Sequence, residues 1–277
     1  MANLPPQTPL AITTGTGADM LKEILGSYDE YELRSPFGEV VFVQRFEVGG
    51  VGLLHANRHS RDQRLTADRY ILAEFLDHRH HMTVLRQCGA RRIIGTSLVG
   101  GVEQNQEPGQ VILPYQCITP PFGKLSFARP EDGPEFYRGF PNPFSGLSHP
   151  ELNQRLKEQG LFVQVGGTLE VVRGPKFETK ADIIKMRTYG VTIAGMLTVL
   201  PEAFLGDELG MVITPVCLIS DLPFKGAKQE EVIAVAKVNM PKIIRAIANI
   251  IPWLNKQGTD DLPKPVEGLL KRFKIAA

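Results

Sequence analysis

Eight consecutive residues at 212–219, VITPVCLI, leave almost no polar position on either face of an extended chain. A strand with one wet face alternates apolar and polar residues. A run like this one reads as a strand covered on both faces. Residues 10–13, 40–46, 51–55, 92–98, 111–118, 162–165 and 169–172 read as further strands. Helical patterns lie between them. Residues 70–88 place Ile71, Leu72, Phe75, Leu76, Met82 and Leu85 at helical spacing. SHPELNQRLKEQG has a polar start, Pro150 in its first turn and Gly160 as a stop. Residues 180–189 stop at Gly190 and 201–209 stop at Gly210. Residues 229–253 form a long amphipathic segment that Pro241 is expected to kink. Strands alternating with helices predict an α/β fold. The expectation is a single domain over residues 1–277, with a central mixed, mostly parallel sheet flanked by helices. Residues 254–277 are polar and then weakly amphipathic, and read as a tail that is mobile or docks on a partner.

Of the 277 residues, 43% are hydrophobic, enough for a sizeable core, and the net charge is +1. That balance argues against nucleic acid as a partner. Cys88, Cys117 and Cys217 are odd in number and far apart, so neither a disulfide framework nor a zinc site is indicated. The first residues, MANLPPQTPL, lack the basic and apolar regions of a secretory signal. No stretch approaches the roughly 18 apolar residues of a membrane span. A cytoplasmic protein without a membrane partner is expected. Residues 119–148, rich in Pro, Gly and Phe, form one long loop, and such loops are often functional.

In an open α/β sheet, ligands bind beyond the carboxyl ends of strands. After the first strand come Gly15, Thr16 and Gly17, with Met20 where a dinucleotide fingerprint needs its third glycine. This is either an anion nest or a plain strand-to-helix turn. After VGLLHAN come Arg58 and His59, two donors to an oxyanion or a solvated surface pair. Ser97, Leu98, Gly100 and Gly101 stand where the next strand ends. The stretch EVVRGPKFETKAD sets Phe177 and Glu178 just before a helix, where a ring can stack on a flat base and a carboxylate can accept its N–H groups. The bland alternative is a core phenylalanine and a helix N-terminal charge. GMLTVLPEAF places Met196 and Thr198 before a helix, and VCLISD ends in Ser220 and Asp221, a carboxylate at a strand exit.

This ordered series spans about residues 10–248 and resembles the trimeric purine nucleoside phosphorylases, including the 5′-methylthioadenosine phosphorylases. The block Gly174-Pro175-Lys176-Phe177-Glu178-Thr179-Lys180-Ala181 is similar to that family's base-site motif. RSPFGEV at 34–40 and the helix start at Pro201 and Glu202 also look like family features. The resemblance implies phosphorolysis of a purine or 5′-methylthio-purine nucleoside to free base and a ribose 1-phosphate. Inorganic phosphate would be co-substrate, no cofactor or metal would be required, and the assembly would be a homotrimer. It implies that Thr16, Arg58, His59, Ser97 and Thr198 hold phosphate and that Met196 packs on the ribose. Phe177 and Leu98 would flank the base, with Glu178 and Asp221 reading its edge and Asp221 as the proton donor.

The chain departs from the family pattern at several points. Thr14 replaces the first glycine of the turn. Arg58 and His59 run into Ser60, Arg61, Asp62 and Gln63 without the later histidine. One extra residue between Met196 and Pro201 leaves open whether Leu197 or Thr198 faces phosphate, and Pro223 stands where aminopurine-specific members carry a second aspartate. The carboxyl pair is mixed: Glu178 suits the N1–H of a 6-oxopurine, Asp221 the amine and N7 of adenine. An altered homologue, either a nucleoside hydrolase or a silent nucleoside-binding protein, is the alternative. HRHH at 78–81 puts His78 and His81 on one helix face, but no acid or cysteine in the sequence obviously completes a metal site.

Overall fold

The computed structural model describes residues 4–16, 20–59, 75–120, 123–144, 147–196 and 199–276. Its strands form one mixed, eleven-stranded sheet. The centre is parallel. β1 (Leu10–Thr14) lies between β4 (Val51–Asn57) and β5 (Arg92–Gly101), and β11 (Val212–Asp221) runs along the other edge of β5. β2 (Tyr28–Arg34) and β3 (Val40–Val48) extend the sheet antiparallel beyond β4. β10 (Ile193–Met196) joins the far end of β5 antiparallel and leads to β9 (Thr168–Val172) and β7 (Gln116–Ile118). β6 (Val111–Leu113) and β8 (Val163–Val165) follow from β11.

The continuous apolar runs are explained by two cores on opposite faces of this sheet. Leu10 and Ile12 of β1, with Val216 and Leu218 of β11, pack into one core with α6 (Gln229–Leu254), α1 (Leu21–Leu25) and α3 (His149–Glu158). Ala11, Cys217 and Ile219 belong to the other, with α2 (Arg79–Gln87) and α5 (Val199–Glu208). Alternate residues of a strand face opposite ways, so both sets must be apolar. Each such large side chain, once fully buried, contributes about 1.5–3 kcal/mol. No described helix is long and apolar enough to cross a membrane.

Several expectations are corrected. β2, YDEYELR, is an edge strand whose mostly wet, charged surface hid it from an apolar pattern search. β10 was also missed, being only four residues long. The expected strand at 111–118 is two strands, β6 and β7, separated at Pro114 and Tyr115, and Pro114 has no N–H for a ladder. Residues 70–74 of the expected 70–88 helix lie outside the described residues, and of 75–88 the α-helix covers 79–87. The long helix expected at 229–253 is present as α6, with Pro241 and Pro252 inside it. The tail packs on its own chain: Val266, Leu269, Phe273 and Ile275 are buried in the α2–α5 core, and α7 (Leu269–Arg272) lies within it. Phe273 sits 5.5 Å from Phe37 and 5.2 Å from Phe127, ring centre to ring centre, and Arg272 pairs with Asp132 of the long loop. The tail thereby ties that loop down. Its four apolar residues are spaced like an amphipathic helix and its continuation, and they find their apolar partner within the same chain.

Candidate active site

The two strands beside β5 leave a stretch of its edge uncovered. β1 pairs with β5 from Arg92 to Gly95, and β10 pairs with Gly100 and Gly101. Between them, and among the described residues, Thr96–Val99 have a registered partner on the β11 side only. A ligand can approach β5 here, where neighbouring strands diverge, which is where open α/β sheets bind their ligands. A cavity of about 420 Å³ opens at this point, lined in part by Thr96, Ser97, Leu98 and Val99. That volume suits a small-molecule ligand. Thr16, Arg58, His59, Ser97, Leu98, Phe177, Glu178, Met196 and Asp221 all line it. Thr198, with Leu197, lies outside the described residues.

One end of the cavity is rich in donors. β1 ends at Thr14, and its parallel neighbour β4 delivers Arg58 and His59 beside it, with the Arg58 N–H bonded to Thr14 O at 2.9 Å. Thr14 is fully buried, and its hydroxyl meets His55 Nε2 at 2.8 Å, which accounts for a threonine in place of glycine. His55 Nδ1 meets Gln44 Oε1 at 3.0 Å, and burial, aided by Arg58, keeps the ring neutral with its pKa lowered to about 3. Next comes Gly15, where a Cβ would stand 3.0 Å from the His59 ring, so the close approach calls for glycine. The His59 backbone N–H is held by Asn57 Oδ1 at 3.0 Å.

Arg58 is held from behind. Its Nε donates to Glu202 Oε1 at 2.6 Å and its Nη2 to Glu202 Oε2 at 2.9 Å. Nη2 also donates to Thr13 Oγ1 at 2.8 Å, and Nη1 donates to Thr96 O at 2.7 Å. These bonds use four of the five guanidinium N–H groups. The last, on Nη1, is left for a ligand among the described residues. Glu202 also takes bonds from Thr13 Oγ1 at 2.9 Å and His81 Nε2 at 2.8 Å. Burial alone would raise its pKa. The Arg58 charge and the bonds from His78, His81 and Arg58 outweigh that and hold it well below the ordinary value. Gly95 lets α5 and the pair approach, since a Cβ there would lie 2.7 Å from Val199 Cγ1 and 3.2 Å from both Arg58 Nη2 and Glu202 Oε2.

The acid that the HRHH segment lacked in sequence is therefore Glu202, supplied across the fold by α5. His78, His81 and Glu202 offer ligand atoms within 4.8 Å of one another. Both Glu202 oxygens already accept bonds from Arg58. His81 presents Nε2 to that carboxylate, which requires its proton there, and burial lowers its pKa to about 4 despite Glu202. The arrangement is a hydrogen-bonded ion pair, and a dication here would compete with the guanidinium.

The other end carries an aromatic ring and two acids. β5 sets its distance. Ser97 pairs with Cys217 of β11, whereas Asp221 pairs with Gly100. Three residues at about 3.3 Å each separate the two levels by roughly 10 Å, enough to span a sugar joined to a flat base. A bulge between Ile219 and Asp221 adds Ser220 to the register, and such bulges re-aim side chains. Ser220 Oγ donates to Asp221 Oδ1 at 2.8 Å, while the buried Oδ2 has no partner among the described residues. Burial raises the Asp221 pKa, against the Ser220 bond. Glu178 stands just before α4 (Lys180–Thr188), whose start is fixed by a capping box. Thr179 Oγ1 accepts from Asp182 N at 3.2 Å and Asp182 Oδ2 from Thr179 N at 3.0 Å. Burial pushes Glu178 up to about 7; its own backbone N–H opposes this, and Asp221, Asp182 and Glu170 reinforce it.

Sequence reasoning missed several lining residues. Thr96 and Val99 belong to the same uncovered edge as Ser97. Gln229, Val232 and Met240 come from α6. Val232 and Met240 are indistinguishable in sequence from the helix's core positions, and only the packing shows that they also wall the cavity.

Comparison with known proteins places this geometry in context. Residues 9–252 match the model of the phosphorylase superfamily. A probable 6-oxopurine nucleoside phosphorylase of Dictyoglomus turgidum is 29% identical, covering 90% of this chain and 92% of its own. An S-methyl-5′-thioadenosine phosphorylase of Hyperthermus butylicus is 26% identical, covering 92% and 93%. Among solved structures, a Schistosoma mansoni methylthioadenosine phosphorylase in complex with adenine superposes with a TM-score of 0.76 at 18% identity, over 91% of this chain and 93% of that one. That likeness is one of fold.

Proposed function

Because the chain belongs to the phosphorylase superfamily, we propose that it cleaves a purine nucleoside, or its 5′-methylthio counterpart, by phosphorolysis. The observation that carries this reading is the single cavity with anion donors at one end and an aromatic ring with two carboxyls at the other. Thr16, Arg58, His59, Ser97 and Thr198 hold inorganic phosphate. Met196 lies against the ribose, Phe177 and Leu98 flank the base, and Glu178 and Asp221 meet its edge. A phosphate oxygen forms the new bond to C1′ as the bond from C1′ to N9 breaks. The electron pair leaves with the purine, and a proton passes from Asp221 to N7. The sugar becomes cationic on the way, as in glycoside hydrolysis, and the adjacent phosphate stabilises that charge. The raised pKa of Asp221 suits a proton donor, a role typically worth about 10²–10⁴-fold. The reaction calls for no cofactor. A homotrimer in the cytoplasm is the assembly and location that accompany this reading, and sedimentation velocity tests the former.

The test is a panel of purine nucleosides and their 5′-methylthio forms, incubated with and without phosphate and followed by chromatography. Phosphate-dependent release of base with ribose 1-phosphate is expected. Base release independent of phosphate would make the protein a hydrolase. Binding of nucleoside without any turnover would make it a silent homologue.

A further inference from the structure

Among the described residues, the base end of the cavity holds two carboxyls and no balancing cation. The charged groups around Glu178 are Asp221 on β11, Asp182 on α4 and Glu170 on β9, all acids. Lys176 and Lys180 flank it in the chain but are exposed. Arg187 of α4 donates to Val102 O at 2.6 Å and lies 4.7 Å over the Phe224 ring, and Lys225 lies over the same ring at 5.9 Å. Of the α6 residues that line the cavity, Gln229, Val232 and Met240, none is charged. Asp221 Oδ2 and Glu170 Oε2 are buried without partners among the described residues. Burial and these like charges raise the pKa of Glu178, and burial raises that of Asp221, so both carboxyls are biased toward their protonated forms.

The two purine classes ask for different protonation states of the carboxyl that meets N1. A 6-oxopurine offers N7 and O6 as acceptors and N1–H as a donor. A 6-aminopurine offers its amine as a donor and N1 as an acceptor. Asp221 presents one free oxygen, because Ser220 occupies the other. With Asp221 protonated, Oδ2 donates to N7 of either class. An ionised Glu178 then accepts the N1–H of a 6-oxopurine, whereas a protonated Glu178 donates to N1 of a 6-aminopurine. We propose that the site takes both 6-oxo- and 6-aminopurines, and that the charge on Glu178, with Asp221 protonated in both cases, decides which class is bound. The inference deepens the phosphorolysis reading and rests on its assignment of both carboxyls to the base.

Glu178, lifted to about 7 by burial, makes the choice depend on pH near neutrality. Below that value it is protonated and favours the amino class; above it, ionised, it favours the oxo class. When one ligand needs the acid and the other its conjugate base, the ratio of their affinities changes tenfold per pH unit. The experiment measures binding of free hypoxanthine and free adenine by calorimetry from about pH 6 to pH 8, and in parallel kcat/KM for inosine and adenosine. The oxo-to-amino ratio is expected to rise up to about 100-fold over that range. Glu178→Gln, whose amide both donates and accepts, is expected to flatten it. A ratio constant with pH in the wild-type protein would overturn the proposal, and that measurement needs no folded variant. An undiminished slope in a folded Glu178→Gln protein would also overturn it. Phosphorolysis with a flat ratio sinks this inference alone. Bases that bind with the expected slope, but nucleosides that are never cleaved, sink the phosphorolysis reading alone.

Discussion

Glu202→Ala is the perturbation with the largest consequence that the structure allows to be worked out. The side chain of Glu202 is fully buried and that of Arg58 is 1% exposed. Truncation removes the acceptor of two guanidinium bonds, of the Thr13 hydroxyl and of His81 Nε2. It leaves a cation inside the protein whose remaining partners among the described residues are the neutral Thr96 carbonyl and Thr13. Breaking a buried pair from one side costs about 3–5 kcal/mol, most of it the uncompensated charge. The orphaned Thr13 and His81 donors add to this, each worth about 1–3 kcal/mol in isolation but not additive with the first cost. Against a total stability of about 5–15 kcal/mol, the loss is large. The assay is urea denaturation at fixed protein concentration, with the same m-value required of both proteins. A second variant separates the charge from the shape. Arg58→Met with Glu202→Met removes both charges together and is expected to lose clearly less than the two single changes summed. A loss below about 1 kcal/mol for Glu202→Ala, or strict additivity in the double variant, would refute the account of Arg58 as a cation held by Glu202.

Asp221→Asn removes the proton donor and is expected to lower kcat by about 10²–10⁴-fold. Its thermal melt should not fall, because the replaced oxygen has no partner among the described residues; an unchanged kcat would take Asp221 out of the mechanism. His55, lowered to about 3 from 6.5, is neutral in the fold and protonates readily once unfolded. The unfolded state therefore binds more protons between those values, so its share of stability is full above pH 6.5 and falls as the pH drops. Replacing it in His55→Gln is expected to reduce the acid slope of stability by about 1.4 kcal/mol per pH unit between about pH 4 and 6, and parallel curves would contradict its neutrality. Phe273→Ala empties a buried position between Phe37 and Phe127 and is expected to cost about 3–5 kcal/mol by denaturation. A loss under 1 kcal/mol would mean that the tail is dispensable to the core.

How far the site could be read in advance varied with the kind of residue. Phe177, Glu178 and Asp221 sit at a strand exit or just before a helix, where alternation of strands and helices already directs a side chain toward the carboxyl rim. Thr14 stood out as a departure with no visible reason until His55 was found against its hydroxyl. His78 and His81 shared a helix face in sequence, but their acid lay 121 residues from His81, on another helix. Val232 and Met240 carried no signal at all, since the same apolar residue types line the core beside them.

Local chemistry determined the α/β class, the strands covered on both faces and the turn at Gly15, because each follows from side-chain period, conformational freedom or polarity within a few residues. Only the tertiary structure decided that β10 returns antiparallel, leaving Thr96–Val99 open to a ligand. It also decided that Arg58 is backed by Glu202, that two carboxyls line one cavity with no cation beside them among the described residues, and that the tail closes the core. These are encounters between distant segments, and their energy depends on burial and mutual distance, quantities that come into being only when the chain packs.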